Sequence, residues 1–431
     1  MQHIGLICPA SAGHVNPMTT LGTALRRRGY QVSLISIPDS RAAADAAGLG
    51  FIPLGADQYP VGSMARIVQN LEAMSREDVL YYSIQSFCDF ARVGLSEARE
   101  LLIHEGVDAI LADQASGSGG TIAEALGIPY VTVANGSIGN REPDIPPVYT
   151  PWPYDPSSEG RERNARGYGF MDEFMKPVLD LVNTFRVDWG LDAVSCADDL
   201  HSPLAQIAQQ PACFDFPRKR LPDHFHYTGP FLAERRGDRV PFPYDKLNAK
   251  PLIYASLGTL HNRHSHLFAT IAQACDGLDA QLVVSLGNRH AEPIGELAGK
   301  PLVVPYAPQL ELMRRAQIFI TNGGLNSVLE ALTAGVSMVA IPAAGDHPGV
   351  GARIAYTGTG EVLDLAAVDA AKLREAIIKV LTDENYRNAA RRLQREITKF
   401  DGAERAADIA EQALLSRKPV LRQTIMEEIR V

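Results

Sequence analysis

The sequence is poor in several things, and each shortage narrows its function. Its five cysteines, Cys8, Cys88, Cys196, Cys213 and Cys275, are scattered, with no C-x-x-C pair. This argues against a disulfide framework and a zinc site, and fits a reducing cytoplasm. Basic charge is in deficit: 41 Lys and Arg stand against 50 Asp and Glu, a formal net charge of −9. No polyanion-sized basic surface is available, so nucleic acid is not expected as a partner. No stretch approaches the ~20 apolar residues of a membrane span. The N-terminal run MQHIGLICPASAGH is too short for a signal core and lacks a basic segment before it. The expected location is the cytoplasm, with any membrane contact peripheral.

Familiar fingerprints are also missing. There is no G-x-G-x-x-G after the first apolar run and no G-x-x-x-x-G-K-[ST]. A D-x-D pair, an H-E-x-x-H motif and a carboxylate cluster are likewise lacking, so no metal site is expected.

What is present reads as alternating α/β. His3 to Cys8 is apolar, Asn16 to Gly29 has helical spacing with Pro17 placed as in a first helical turn, and Gln31 to Ile37 is β-branched. The pattern recurs with a helix over Ser96 to Glu105, a strand over Asp108 to Ala112, a helix over Thr121 to Leu126 and a strand over Tyr130 to Val133. It fails at Arg141, where the proline-rich and then polar segment to Gly167 predicts a long loop before a helix from about Phe170 to Trp189. After a second Pro/Gly/charge-rich break the alternation resumes from Leu252 to Ile341, and three helices end the chain. The 431 residues divide into an N-terminal domain (1–216), a linker (217–250), a C-terminal domain (251–405) and a terminal helix (406–431) that caps the second domain or crosses back to the first. The economical architecture is two doubly wound, Rossmann-like parallel sheets facing across a cleft.

Two places carry chemistry. Thr321 to Leu332, TNGGLNSVLEAL, is a strand end, two glycines and a helix whose first turn holds Asn326 and Ser327. Unpaired N–H groups and the positive end of the helix dipole suit phosphate oxygens there, and Glu330 suits ribose hydroxyls. A plain Gly-turn helix start is the alternative. A second Gly turn, Ser256 to Thr259, adds weight. In the first domain, His14 follows the first strand and Asp113 follows DAILA. Both open on the carboxyl edge of a parallel sheet, where a carboxylate holds a histidine as general base. The alternative is a helix-capping histidine and a turn aspartate.

The segment Tyr306 to Ile354, with SAGHVNPM and LADQ, resembles the nucleotide-sugar signature and the base motifs of family 1 glycosyltransferases, and the resemblance covers almost the whole chain. NREPDIPPVYTPWPYDP, CFDFPRKRLP and GARIAYTGTGE look most like the bacterial zeaxanthin glucosyltransferase branch. The resemblance implies a GT-B fold with the acceptor in the N-terminal domain and the donor in the C-terminal one. It implies a nucleoside diphosphate sugar, UDP-glucose above all, as co-substrate, and inverting transfer without metal.

Residue by residue, it places Tyr306 on the base, with Gln309 and the backbone at Ala307 holding base and ribose, and Glu330 on the ribose. Gly324, Asn326 and Ser327 cradle the diphosphate, aided by Gly258 and Thr259. Asp346 and His347 face the sugar, Gly13 counts with the donor-binding residues, and His14 is the base, which Asp113 orients. Two departures stand out: Asn322 replaces the usual histidine at the diphosphate, and His347 the usual glutamine at the sugar. Tyr81, Phe87, Phe90 and Trp152 are expected to wall an apolar acceptor pocket for a carotenoid, flavonoid or macrolide, although helix-core aromatics read equally well. A monomer or homodimer is expected. The competing readings are a nucleotide-sugar-binding protein impaired in transfer by Asn322, and a nucleotide-sugar epimerase using His347.

Overall fold

In a computed structural model of the chain, residues 2–74, 76–232, 240–258, 265–289, 291 and 294–422 are described. The first sheet holds β1 (His3–Ile7), β2 (Gln31–Ser36), β3 (Gly50–Pro53), β4 (Ala109–Asp113), β5 (Tyr130–Ala134), β6 (Gln206–Ala208) and β7 (Phe225–Tyr227), in spatial order β3-β2-β1-β4-β5-β6-β7. The second holds β8 (Leu252–Ser256), β9 (Gln281–Ser285), β10 (Leu302–Val304), β11 (Ala316–Thr321), β12 (Ser337–Ala340) and β13 (Gly360–Val362), in order β10-β9-β8-β11-β12-β13. Every pairing is parallel. Helices therefore cover both faces, which is why β1, β4, β5 and β8 are buried along their whole length and read as apolar runs rather than alternating ones.

Each sheet reverses its strand order once, between β1 and β4 and between β8 and β11. A crevice opens at the carboxyl ends of the strands at such a point. The loops after β1 and β4 carry the first domain's chemistry, and those after β8 and β11 the second's.

Four short strands, β3, β6, β7 and β13, were not expected. Each is only three or four residues long and merges in sequence with the loops around it. Residues 217–250 were expected as a linker, yet β7 within them completes the first sheet. Helix Ser158–Asp188 begins well before the expected start near Phe170. Ser157 caps it by accepting from the Gly160 N–H at 3.1 Å, and the polar SEGRERN turn is helical because its charges face solvent while Gly160 and Asn164 are buried. Helix Gly402–Ser416, capped by Asp401, lies on helix Ala12–Arg27 through Ala403, Ala406, Ala407 and Ala410, which join the first domain's core. Its side chains Glu404 and Glu411 bind Arg28.

The connection between β6 and β7 ties the domains together. Phe214 is buried in the core of the second domain. Asp215 accepts from Arg353 Nε at 2.9 Å, from Arg218 Nε at 3.0 Å and from the Tyr227 hydroxyl at 2.9 Å. Phe216 lies beneath the Arg353 guanidinium, 4.5 Å from its centroid. Burial alone would disfavour the Asp215 charge, but the two guanidiniums and these hydrogen bonds hold its carboxyl down at about 2.

Removing one partner of such a pair leaves a buried charge uncompensated. Arg353→Ala should cost about 3–5 kcal/mol of stability in urea unfolding at neutral pH. Asp215 stabilises the fold once pH exceeds its unfolded value near 4, and this is lost as pH falls toward 2. The stability gap between wild type and Asp215→Asn should therefore narrow from pH 4 to pH 2; a gap independent of pH would contradict the assignment.

Candidate active site

A cavity of about 2170 Å³ lies between the two sheets and takes its walls from both domains. On the first domain's side, helix Ala12–Arg27 begins sooner than expected, so His14 sits in its first turn rather than in a loop. His14 Nδ1 meets Asp113 Oδ2 at 2.8 Å. The carboxylate is buried and further held by the Ala115 N–H at 2.8 Å on Oδ1 and by Asn135 Nδ2 at 2.7 Å on Oδ2. With Nδ1–H given to a carboxylate, the neutral imidazole presents Nε2 as its basic atom. Burial works against the imidazolium, but the Asp113 charge, the hydrogen bond to it and the Asp346 charge across the cleft outweigh it. His14 accordingly titrates above its ordinary 6.5.

Pro17 falls within the second turn of that helix, later than the sequence suggested. Lacking an N–H, it gives nothing to the carbonyl four residues back, that of Gly13. Asn326 Nδ2, from the other domain, donates to this carbonyl at 2.8 Å. Asn326 Oδ1 accepts from Gln209 Nε2 at 2.7 Å. The Asn326 side chain is thus engaged by the first domain through its oxygen and one of its two amide N–H groups.

Across the cleft, helix Leu325–Ala334 starts at Gly324 with no side-chain cap and no acidic residue in its first turn. Its first N–H groups and dipole end face the cavity, where Gly324, Asn326, Ser327 and Glu330 lie on the wall. Asn322 also lies there, yet its Nδ2 donates to the Leu257 carbonyl at 2.6 Å. This braces the turn at Gly258, whose φ of +80° suits glycine and where a Cβ would stand 3.0 Å from that Nδ2. Thr259 lies outside the described residues.

Gln309 Nε2 donates to Glu330 Oε2 at 2.6 Å and to Ser327 Oγ at 3.1 Å, while its Oε1 accepts from the Tyr254 hydroxyl at 3.1 Å. Gln309 therefore orients Glu330. Tyr306 is on the wall next to buried Ala307, with the Arg289 guanidinium 5.1 Å from its ring centroid. Asp346 and His347 begin helix His347–Thr357, the helix that Arg353 anchors. Asp346 Oδ2 accepts from the Ser137 N–H at 3.0 Å and so reaches the first domain beside His14. His347 is held below its usual value by burial, with the Asp346 charge opposing.

The end of the cavity where an acceptor was expected is apolar. Phe87 and Phe90 line it, with Tyr82, Met171, Phe174 and Val178. Tyr81 and Trp152, expected there, are not on the wall. Residues 82, 86 and 90 share one face of helix Arg76–His104, whereas Tyr81 points to solvent at 69% exposure. Trp152 instead packs against Gly167 and under Arg163. Sequence reasoning passed over Asn135, Gln209, Ser137 and Tyr254. An Asn-Gly following the apolar strand VTVA, at the same sheet edge as Asp113, was the available signal for Asn135 and Ser137.

Among the described residues no group of three or more His, Cys, Asp or Glu is arranged to hold a metal ion, and no helix is long and apolar enough to cross a membrane. The solved glycotransferase of kitacinnamycin superposes with a TM-score of 0.75 at 23% identity, covering 96% of this chain and 99% of that one. The calicheamicin glycosyltransferase CalG4 gives 0.74 at 23%, over 97% and 99%. These likenesses establish the two-domain GT-B fold. In sequence, a zeaxanthin glucosyltransferase of Pantoea ananas is 32% identical over 424 residues, 98% of each chain. Another from Pseudescherichia vulneris is 29% identical over 427 residues, 97% of this chain and all of that one. The model of the family described as UDP-glucoronosyl and UDP-glucosyl transferase matches residues 66–399. With that match over most of its length and a full-length relative above 30% identity, the chain belongs to this family and is a glycosyltransferase.

Proposed function

We propose that the protein moves a hexose, glucose first among them, from a uridine diphosphate sugar to a hydroxyl of a lipophilic small molecule, inverting the anomeric carbon and using no resident metal. The observation that carries this is the His14–Asp113 pair at 2.8 Å, set across one cavity from the uncapped start of helix Leu325–Ala334.

An alcohol is a weak nucleophile at neutral pH, so its proton must leave as its oxygen attacks. His14 Nε2 takes that proton while Asp113 keeps Nδ1 protonated and balances the imidazolium. Glu330, oriented by Gln309, holds the ribose, and Tyr306 stacks on the base. The departing diphosphate carries the growing negative charge toward the helix start, whose N–H groups and dipole stabilise it with little reorganisation. Asp346 binds sugar hydroxyls from the side of the cleft that it shares with Ser137. In this reading the acceptor oxygen, deprotonated from the first domain, attacks the face opposite the diphosphate held by the second, which is inversion.

The apolar wall formed by Phe87, Phe90, Met171 and Phe174 suits a long unsaturated or polycyclic body rather than a sugar. The two zeaxanthin glucosyltransferases among the relatives favour a hydroxylated carotenoid, ahead of a flavonoid or a macrolide.

The direct experiment incubates the enzyme with UDP-, TDP- and GDP-glucose and a mixture of the three acceptor classes, and weighs the products. A hexose added from UDP-glucose supports the reading; nucleotide binding without transfer contradicts it. His14→Ala should slow transfer by about 100- to 10,000-fold while UDP binding stays within about twofold. Equal loss of both would remove His14 from the base role. Transfer needs neutral His14, so the rate should rise with pH through a midpoint above 6.5. In Asp113→Asn, which removes the charge holding His14 up, the remaining activity should show that midpoint at lower pH.

A further inference from the structure

Asn135 directly follows β5 and is completely buried. Its Nδ2 donates at 2.7 Å to Asp113 Oδ2, the same oxygen that receives His14 at 2.8 Å. The other carboxylate oxygen is already held by the Ala115 N–H at 2.8 Å. An ionised carboxylate only accepts, so the amide must present its nitrogen here and not its oxygen. Asn135 Oδ1 is left buried without a hydrogen-bond partner. A natural fold rarely tolerates an orphan of this kind unless the other half of the amide has a task.

The backbone places the residue firmly. The Asn135 carbonyl accepts from Gln209 Nε2, and the same amide nitrogen reaches Asn326 Oδ1 at 2.7 Å in the first turn of the donor-side helix. A continuous set of contacts therefore runs from that helix through Gln209 and Asn135 to Asp113 and His14.

We propose that Asn135 is a positioning residue, which fixes the Asp113 carboxylate against rotation and limits how much of its charge the His14 imidazole receives. It touches no reacting atom and acts through Asp113. Two donors divide the charge of one oxygen. Asn135 takes a constant share, so His14 is held in one tautomer and still loses its proton near neutrality. Without the amide the full charge falls on the imidazole, and the base becomes harder to deprotonate. The other titratable groups around the pair are Asp346 across the cleft, Cys8 after β1 beside Asp113, and Tyr149 and His347 beside Asp346. None of them is altered by a change at Asn135.

This inference rests on the reading of His14 as the base, and its test separates the two. In the full-length protein, the His14 imidazole is titrated by NMR, its signal assigned by its disappearance in His14→Ala, in wild type and Asn135→Ala. The His14 midpoint should move upward by about half to one pH unit. The acid limb of the transfer rate should move with it, slowing the reaction several-fold at pH 6, while UDP affinity measured by calorimetry stays unchanged. A folded Asn135→Ala whose His14 midpoint does not move overturns the proposal, whatever its activity. If that variant does not fold, Asn135→Ser replaces it; its shorter donor should give a smaller upward shift, and no shift overturns the proposal equally. Should wild type transfer no sugar, the proposed reaction fails while the titration still decides whether Asn135 governs the pair.

Discussion

The site takes the His14–Asp113 pair from one domain and the uncapped helix start at Gly324 from the other, so its geometry depends on what holds the two sheets in register. That task falls to the buried pair Arg353–Asp215, with Phe214 embedded in the second domain's core next to it and Phe216 under the guanidinium. Arg353 is two turns along the helix that opens with Asp346 and His347. Anchoring that helix to the β6–β7 connection sets where Asp346 and His347 stand relative to His14. A buried ion pair adds little net stability over a well-packed apolar pair, but it tolerates only one geometry. Here one geometry is what catalysis across a cleft requires.

Smaller contacts refine the register at the cleft itself. Pro17 leaves the Gly13 carbonyl open, Asn326 fills it, and Gln209 holds the other end of the same amide. Ser137 gives its N–H to Asp346. The three hydrogen bonds of Asn326, Gln209 and Ser137 each cross from one domain to the other, so the helix start at Gly324 and the His14–Asp113 pair are tied together and not merely adjacent. The electrostatics follow from the same closeness. Asp346 raises His14 because the domains meet there, and burial lowers His347 in the same wall.

Much of this was legible in the sequence, for identifiable reasons. Long parallel strands buried on both faces leave apolar runs, and the glycines of TNGG mark the turn into a helix start that opens on the cavity. His14 and Asp113 were readable as a pair because both follow strands at one sheet edge. What escaped was set by tertiary contact. The strand β7 and the helical start at Ser158 have no periodicity of their own. Tyr81 and Phe87 cannot be sorted into solvent and cavity without knowing the helix face. Asn322 and Asn326 were expected at the diphosphate, but not that one N–H of each amide goes to a carbonyl distant in sequence, that of Leu257 and that of Gly13. No local pattern reveals such partners.

The central claim is single displacement across the cleft, with the acceptor deprotonated on one face of the sugar and the diphosphate leaving from the other. The anomeric configuration of the purified product, read from its proton NMR coupling after reaction with UDP-α-glucose in the presence of a chelator, tests this most directly. The account predicts a β-glucoside, formed at an undiminished rate with the chelator. An α-glucoside would contradict it, because retention needs a second displacement or a same-face attack, and a single displacement with opposed faces includes neither.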